Sequence, residues 1–238
     1  MIDLHAHVLP GFDDGVRSLE EARDLGRAAA AEGVTAIAAT PHVRTDYPTT
    51  PEQMERGVER LRADFAAEGI HVEILHGGEV APERLWELPD DQVDRFSLAG
   101  TRRYLLVEFP YVGWAPIVDA TVRALTARGV TPLLAHPERN ETVQARPERL
   151  RELVDAGALV QLTAGSIDGR LGRRARAGAF DLLELGLAHV VATDAHGPHI
   201  RIGGLSSAVD AIGDSSLAYY LTTVVPTTIV AGGDVRRR

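Results

Sequence analysis

Short apolar runs alternate along this chain with longer stretches in which apolar positions recur every three or four residues. A run of roughly four to eight apolar residues reads as a buried strand, and an i, i+3, i+4, i+7 stripe reads as one face of a helix. Strands are predicted at 2–6, 34–40, 71–77, 104–109, 131–135, 158–163 and 188–193. Ser18-Leu19-Glu20-Glu21 has the order of a capping box, and the helix it opens ends at Gly33. A second helix starts at Thr50 and Pro51, with Gln53 placed to complete a box. Its stripe of Met54, Val58, Leu61 and Phe65 reads as core packing before the stop at Gly69. Further helices are predicted over 115–128, 147–156, 173–185 and 205–220, the first two closing at Gly129 and Gly157. Strand and helix in steady alternation predict an α/β fold around parallel strands, and seven such units approach a TIM-like barrel.

With 238 residues, no internal repeat and no long linker, the chain is expected to form one domain over 1–238, its last ten or so residues a flexible tail. No basic leader and no apolar stretch of about 18 residues point to a cytoplasmic protein without membrane insertion. A net charge of −9 offers no broad basic face for nucleic acid. Cysteine is absent, which excludes disulfides, zinc ribbons and a thiolate nucleophile. Lysine is absent too, which excludes the carboxylated lysine of many barrel hydrolases of C–N bonds.

The candidate chemistry sits at the predicted strand ends. His5 and His7, two residues apart on a strand, point to one face, and Asp194 and His196 repeat that spacing on the last strand. His42, Glu79, Glu108 and His136 each fall at or just past the end of an apolar run, and Asp14 can reach the same place from the first loop. In parallel barrels the C-terminal strand ends form the catalytic face. Nine such donors exceed the needs of one ion and suit two or three divalent ions. The mixture of imidazole and carboxylate fits Mn²⁺, Fe²⁺ or Zn²⁺. His71, His76 and His189 read as ordinary strand-associated residues, and His199 as a possible substrate contact. Arg139 and Arg201, in loops past His136 and His196, are placed to hold a phosphate in two-point geometry. The alternative for Arg139 is pairing with Glu138 or Asp194, and Arg44 is a weaker candidate of the same kind.

The order of the motifs is H-x-H at 5–7, Asp13-Asp14-Gly15, Thr40-Pro41-His42, Gly77-Gly78-Glu79, Glu108-Phe109, His136-Pro137-Glu138-Arg139 and Asp194-Ala195-His196. It resembles the polymerase and histidinol phosphatase (PHP) superfamily, and most closely its bacterial protein-tyrosine phosphatases of capsule and exopolysaccharide systems. That resemblance runs to about residue 220. It implies a distorted (β/α)7 barrel with His5, His7, Glu79 and Asp194 around a first ion, Glu79, Glu108 and His136 around a second, and Asp14, His42 and His196 around a third. Mn²⁺ is the first choice of metal. It further implies phosphate binding by Arg139 and Arg201 and a partner in the Tyr-rich tail of a bacterial tyrosine kinase. The mechanism expected of such a site is attack by a metal-bridging hydroxide, with a metal-bound water, or His42 or Asp14 when free of an ion, protonating the leaving group. The segment 197–204 and Val225-Pro226 depart from the family pattern. Histidinol-phosphate phosphatase is the competing reading, followed by a phosphodiesterase or nuclease and a non-catalytic metal-binding module.

Overall fold

The computed structural model describes residues 1–197 and 204–236. Among these residues nine strands form, all paired in parallel: β1 Ile2–Ala6, β2 Ala36–Ala39, β3 His42–Val43, β4 Glu73–Leu75, β5 Glu79–Val80, β6 Tyr104–Glu108, β7 Thr131–Ala135, β8 Leu159–Thr163 and β9 Val190–Ala192. They make a three-stranded sheet in the order β1-β2-β4 and a six-stranded sheet in the order β3-β5-β6-β7-β8-β9. The fold is thus α/β with parallel sheets, as the alternation predicts.

Two predicted strands are shorter than expected, and each is followed by a further short strand beyond the predicted range. Residues 34–40 give β2, after which the chain passes Thr40 and Pro41 and re-enters the second sheet as β3. Proline lacks the N–H that a continuous ladder would use. Residues 71–77 likewise shorten to β4, and after the backbone of Gly77 and Gly78 the chain resumes as β5. A bridge between Ala6 and Ala195 joins the two sheets at β1 and the end of β9.

Helices α1 Leu19–Ala31 and α2 Pro51–Ala67 form where their caps predict. Thr50 and Gln53 make the full reciprocal box. Ser18 accepts from Glu21 N, but the Glu21 carboxylate turns to Arg17 N at 2.7 Å, so that box is only half formed. Met54, Val58, Leu61 and Phe65 are all buried. Short helices α3 Arg84–Glu87 and α4 Asp90–Arg95 were not foreseen. Next come α5 Pro116–Ala127, α6 Glu141–Ala145, α7 Arg151–Asp155, α8 Ala164–Ile167 and α9 Arg173–Glu184. The helix expected over 147–156 begins instead as a 3-10 turn at Pro147–Leu150 and becomes α7. That expected over 205–220 breaks into α10 Leu205–Ile212 and α11 Ser215–Tyr219, because Gly213 takes φ +72° and Asp214 caps a fresh start. A π-helical turn, Tyr220–Val224, then leads into α12 Val225–Val230.

Alternation along each strand separates two apolar cores. Leu105, Val107, Leu134, Val160 and Val191 pack with the helices, whereas Leu4, Ala38, Leu106, Leu133, Leu159 and Val190 form a smaller inner cluster. Val225 and Ile229 of α12 belong to that inner cluster. Glu108 shares the inner face of β6 with Leu106, and Gln161 that of β8 with Leu159, so the polar residues follow the inner apolar layer toward the strand C-termini. For the C-terminal residues, where the sequence suggests a flexible tail, the structure shows Tyr220 OH donating to Arg236 O at 2.6 Å, Tyr104 OH donating to Gly233 O, and Arg103 paired with Asp234. Among the described residues no helix is long and apolar enough to cross a membrane.

Candidate metal centre

All nine predicted donors meet at the C-terminal ends of the strands. They fall into overlapping groups whose ligand atoms lie within 4.8 Å of one another: His7, Asp14, His42 and His196; His5, Glu79 and His136; His5, His7 and Asp194; and His42, Glu79 and Glu108. Proximity thus places Glu108 with His42 and Glu79, and His136 with His5 and Glu79. Glu79, with no exposed surface, is the hub. Asp14 is the outlier in exposure, its side chain half open to solvent at the rim.

The strand geometry explains the convergence. His5 and His7 flank Ala6 at the end of β1, and Ala6 N donates to Thr40 Oγ1 at 3.0 Å, which pins this dipeptide to the end of β2. Asp3 is buried and ties β1 to the end of β9, accepting from His5 N at 3.2 Å and Thr193 N at 3.0 Å, with Thr193 Oγ1 as a further donor. His136 and Asp194 each take left-handed backbone, φ +40° and +52°. Such conformations cost non-glycine residues on the order of 1–3 kcal/mol and gather at functional sites.

Hydrogen bonds fix the imidazole protons. Gln161 Oε1 accepts from the amide of His136 at 3.2 Å and faces His5 Nδ1 at 3.0 Å, so Nδ1 carries the His5 proton. Asp13 Oδ2 accepts from His7 Nδ1 at 2.7 Å, and the carbonyl of Asp194 accepts from His196 Nδ1 at 2.9 Å. Each Nε2 therefore presents a lone pair to the cluster, the arrangement typical of metal-ligating histidines. The Nε2 atoms of His5 and His7 face each other at 3.2 Å. Both lie 3.5 Å from Glu79 Oε2, and 3.4 and 3.5 Å respectively from Asp194 Oδ1. Adjacent donors about 2.1 Å from one ion are separated by about 3.0–3.5 Å. Two lone pairs and two carboxylate oxygens packed so closely need positive charge among them. Among the described residues Glu79 Oε2 and His136 Nδ1 are buried without an aligned hydrogen bond, and His42 Nδ1 approaches Glu79 Oε2 at 2.8 Å off line. The residues fit a divalent cation site.

The electrostatics agree. Burial opposes charge on His5 and His7, yet Glu79 and Asp194 beside His5, and Asp13, Asp194 and Glu79 beside His7, pull both above the ordinary histidine value. Burial would raise Glu79 and Asp194, but the surrounding histidines hold both carboxyls well below their usual range. Asp13, which burial would also raise, is held down to about 2 by His7 and the amides of His42 and Gly15. Glu108 goes the other way, raised by burial and the nearby Glu79 charge.

Arg139 lies at the edge of the cluster and donates to Asp194 Oδ2 at 2.8 Å, one of the pairings left open by the sequence. Arg44 donates to Glu108 Oε1 at 2.9 Å and pairs with Asp46. Arg201 and His199 lie outside the described residues. His71, His76 and His189 are in none of the donor groups among the described residues, and His189 Nδ1 accepts from Val160 N at 3.2 Å instead. Sequence reasoning missed Asp13 and Gln161, which orient the candidate histidines His7 and His5. Their signals were a second carboxylate beside Asp14 and a lone amide in the apolar run Leu159-Val160-Gln161-Leu162. It also missed Tyr111, whose ring stacks on His136 at 5.3 Å and 6°, with the Arg139 guanidinium 4.6 Å from its centroid. Burial pushes the Tyr111 phenol up to about 12.

A parallel α/β frame with a His and carboxylate cluster at its strand ends sets the class for comparison, the α/β metalloproteins. Within it, the family described as capsular polysaccharide synthesis, CpsB/CapC, matches residues 1–226, and the chain belongs to that family. It is 34% identical over 204 residues, 84% of this chain and 79% of the relative, to the tyrosine-protein phosphatase YwqE of Bacillus subtilis. It is 32% identical over 199 residues, 82% of this chain and 77% of the relative, to the putative tyrosine-protein phosphatase CapC of Staphylococcus aureus. A crystal structure from work on YwqE and the Streptococcus pneumoniae CpsB, described as unique metal-dependent tyrosine phosphatases, superposes with a TM-score of 0.90 at 30% identity, covering 100% of this chain and 97% of the other. A β-aspartyl dipeptidase from Fervidobacterium islandicum, at TM-score 0.58 and 14% identity, shares the fold alone.

Proposed function

We propose that the chain is a metal-dependent protein-tyrosine phosphatase that regulates capsule or exopolysaccharide synthesis from the cytoplasm. Its partner on this reading is a phosphotyrosine protein, with the Tyr-rich tail of a bacterial tyrosine kinase as first candidate. The observation that carries the proposal is the convergence of a full His and carboxylate donor set in a member of this family. His5, His7, Asp14, His42, Glu79, Glu108, His136, Asp194 and His196 would hold two or three ions, Mn²⁺ before Fe²⁺ or Zn²⁺. When bound, such ions supply Lewis acidity, lowering the pKa of water and offsetting phosphoryl charge.

The protein's own groups do the rest. Asp13, Gln161 and the Asp194 carbonyl hold three imidazoles with Nε2 turned inward. Arg139, already at the cluster, and Arg201 would bind the phosphoryl oxygens and stabilise their charge as the ester bond breaks. Asp14 at the open rim and His42, whose Nε2 lies 3.5 Å from Asp14 Oδ1, would serve as proton donors to the departing phenolate oxygen only while free of an ion. On the same footing, the two sheets are read as one distorted seven-stranded barrel and the chain as a single domain. The continuity of β2 with β3, of β4 with β5, and the Ala6–Ala195 bridge support that reading.

The test is phosphate release from a phosphotyrosine peptide and from histidinol phosphate, with Mn²⁺ and after chelation. Release from the peptide that chelation abolishes is the expected result. Release mainly from histidinol phosphate would move the function to a small-molecule phosphatase on the same site.

A further inference from the structure

A cleft of about 370 Å³ opens at the C-terminal ends of β3, β5 and β6 and runs to the first turn of α5. Glu108, a member of the donor cluster, is one of its lining residues, so cleft and cluster share a wall. Arg44 lines it too, but its charge is matched by Glu108 at 2.9 Å and by Asp46 at 2.6 Å. The cleft therefore has no spare cation for a second anion. Apolar residues, Pro82, Pro110, Ile117 and Val118 among them, share the remaining lining with Asp46 and Glu83.

A pocket of this make-up, sharing Glu108 with a centre read as taking a phosphoryl group, suits a flat apolar body joined to that phosphoryl by a single oxygen. A phosphotyrosyl side chain has that form. A phosphoseryl side chain places only one methylene beyond the ester oxygen and leaves the apolar walls uncovered. We propose that this cleft receives the phenyl ring of the substrate's phosphotyrosine and so selects aryl over alkyl phosphomonoesters. The proposal rests on the phosphatase reading above. Covering on the order of 60 Å² of ring surface corresponds to roughly tenfold in affinity.

Ala115, exposed and on the cleft wall, allows the space to be filled without touching a donor. Ala115→Trp is expected to lower kcat/KM for a phosphotyrosine peptide about tenfold, through KM. The same variant should leave the rate on a phosphoserine peptide of the same sequence and inhibition by inorganic phosphate unchanged. Ile117→Ala, which trims the wall rather than filling the space, should give a smaller loss of the same selectivity. Phenylphosphonate should inhibit the wild type more strongly than methylphosphonate, and Ala115→Trp should abolish that difference. Equal losses on both peptides, or an unaltered preference for phenylphosphonate in both variants, would overturn the assignment. Absence of wild-type activity on the phosphotyrosine peptide would overturn the phosphatase reading and the assignment with it. Activity there with no effect of either variant would sink the cleft alone.

Discussion

Replacing Gln161 with leucine tests whether the cluster is tuned from outside its ligands. The amide is fully buried, and its oxygen serves both His5 Nδ1 at 3.0 Å and His136 N at 3.2 Å, while its nitrogen has no partner among the described residues. Leucine of similar size strands two buried donors, each costing about 1–3 kcal/mol, and relieves one already stranded, for a net loss of about 1–3 kcal/mol. In a chain of this length that lowers Tm by roughly 2–4 °C per kcal/mol. The more specific effect is on His5. Without an acceptor at Nδ1 its proton is free to move to Nε2, and the ring is free to turn. Loss of such a partner typically weakens metal binding about 10–100-fold. Gln161→Glu keeps an acceptor at the same place and should bind Mn²⁺ more nearly as the wild type does. Calorimetric titration of the metal-free protein with Mn²⁺, beside scanning calorimetry of the same samples, separates the two effects. A leucine variant that melts earlier yet binds Mn²⁺ as tightly as the wild type would show that Gln161 only braces β8, and the tautomer argument would be wrong.

Tyr111→Ala should raise KM for phosphotyrosine and the inhibition constant of phosphate about fivefold by freeing the Arg139 guanidinium, with rescue by Tyr111→Phe. Steady-state kinetics of the three proteins checks this. Gly15→Ala places a Cβ 2.3 Å from His7 O and 2.4 Å from His7 Cβ, so the His7 backbone must move. Denaturant unfolding should show a loss above about 2 kcal/mol, with weakened Mn²⁺ binding. Asp168 accepts from Arg170 and from Ser207 Oγ at 2.8 Å, and although burial acts against it, these bonds hold its carboxyl below 3.8. A depressed carboxylate stabilises the fold fully above its unfolded value and loses that contribution as pH falls through the folded one. The stability gap between wild type and Asp168→Asn should thus be widest above pH 4 and close on acidification, and a gap that widens in acid would refute the assignment.

The candidate ligands were legible because they are local exceptions. An imidazole or carboxylate ending an apolar strand has no packing explanation, and His5 with His7 or Asp194 with His196 carries its geometry in the sequence spacing. Helices announced themselves where a cap and a stripe coincide, as in α2. What stayed hidden depends on distant partners. Gln161 is 156 residues from the imidazole it orients, and nothing in Leu159-Val160-Gln161 names His5. The strand breaks carried a readable signal, since Pro41 and the Gly77-Gly78 pair each punctuate an apolar run. The helix predicted over 205–220 ran through Gly213-Asp214, although that pair is a stop followed by a cap.

Gly15 shows how a short motif can encode sterics as well as ligation. In Asp13-Asp14-Gly15 the first carboxylate holds His7 and the second reaches the rim, but both depend on the loop passing against the His7 backbone, where no Cβ fits. The same logic applies to the strain at His136 and Asp194. Their left-handed backbones turn the chain sharply at the strand ends, and the amides so displaced are caught at once, His136 N by Gln161 and Asp194 N by His5 O at 2.8 Å. Each strained donor is thus braced by another residue of the cluster or by its orienting partner. Strain and ligand orientation are coupled in one network, so substitutions there should fail to add. Double variants of Gln161 with Asp13 should lose less Mn²⁺ affinity than the sum of the single losses, because the His5 and His7 nitrogens face each other and act on the same point.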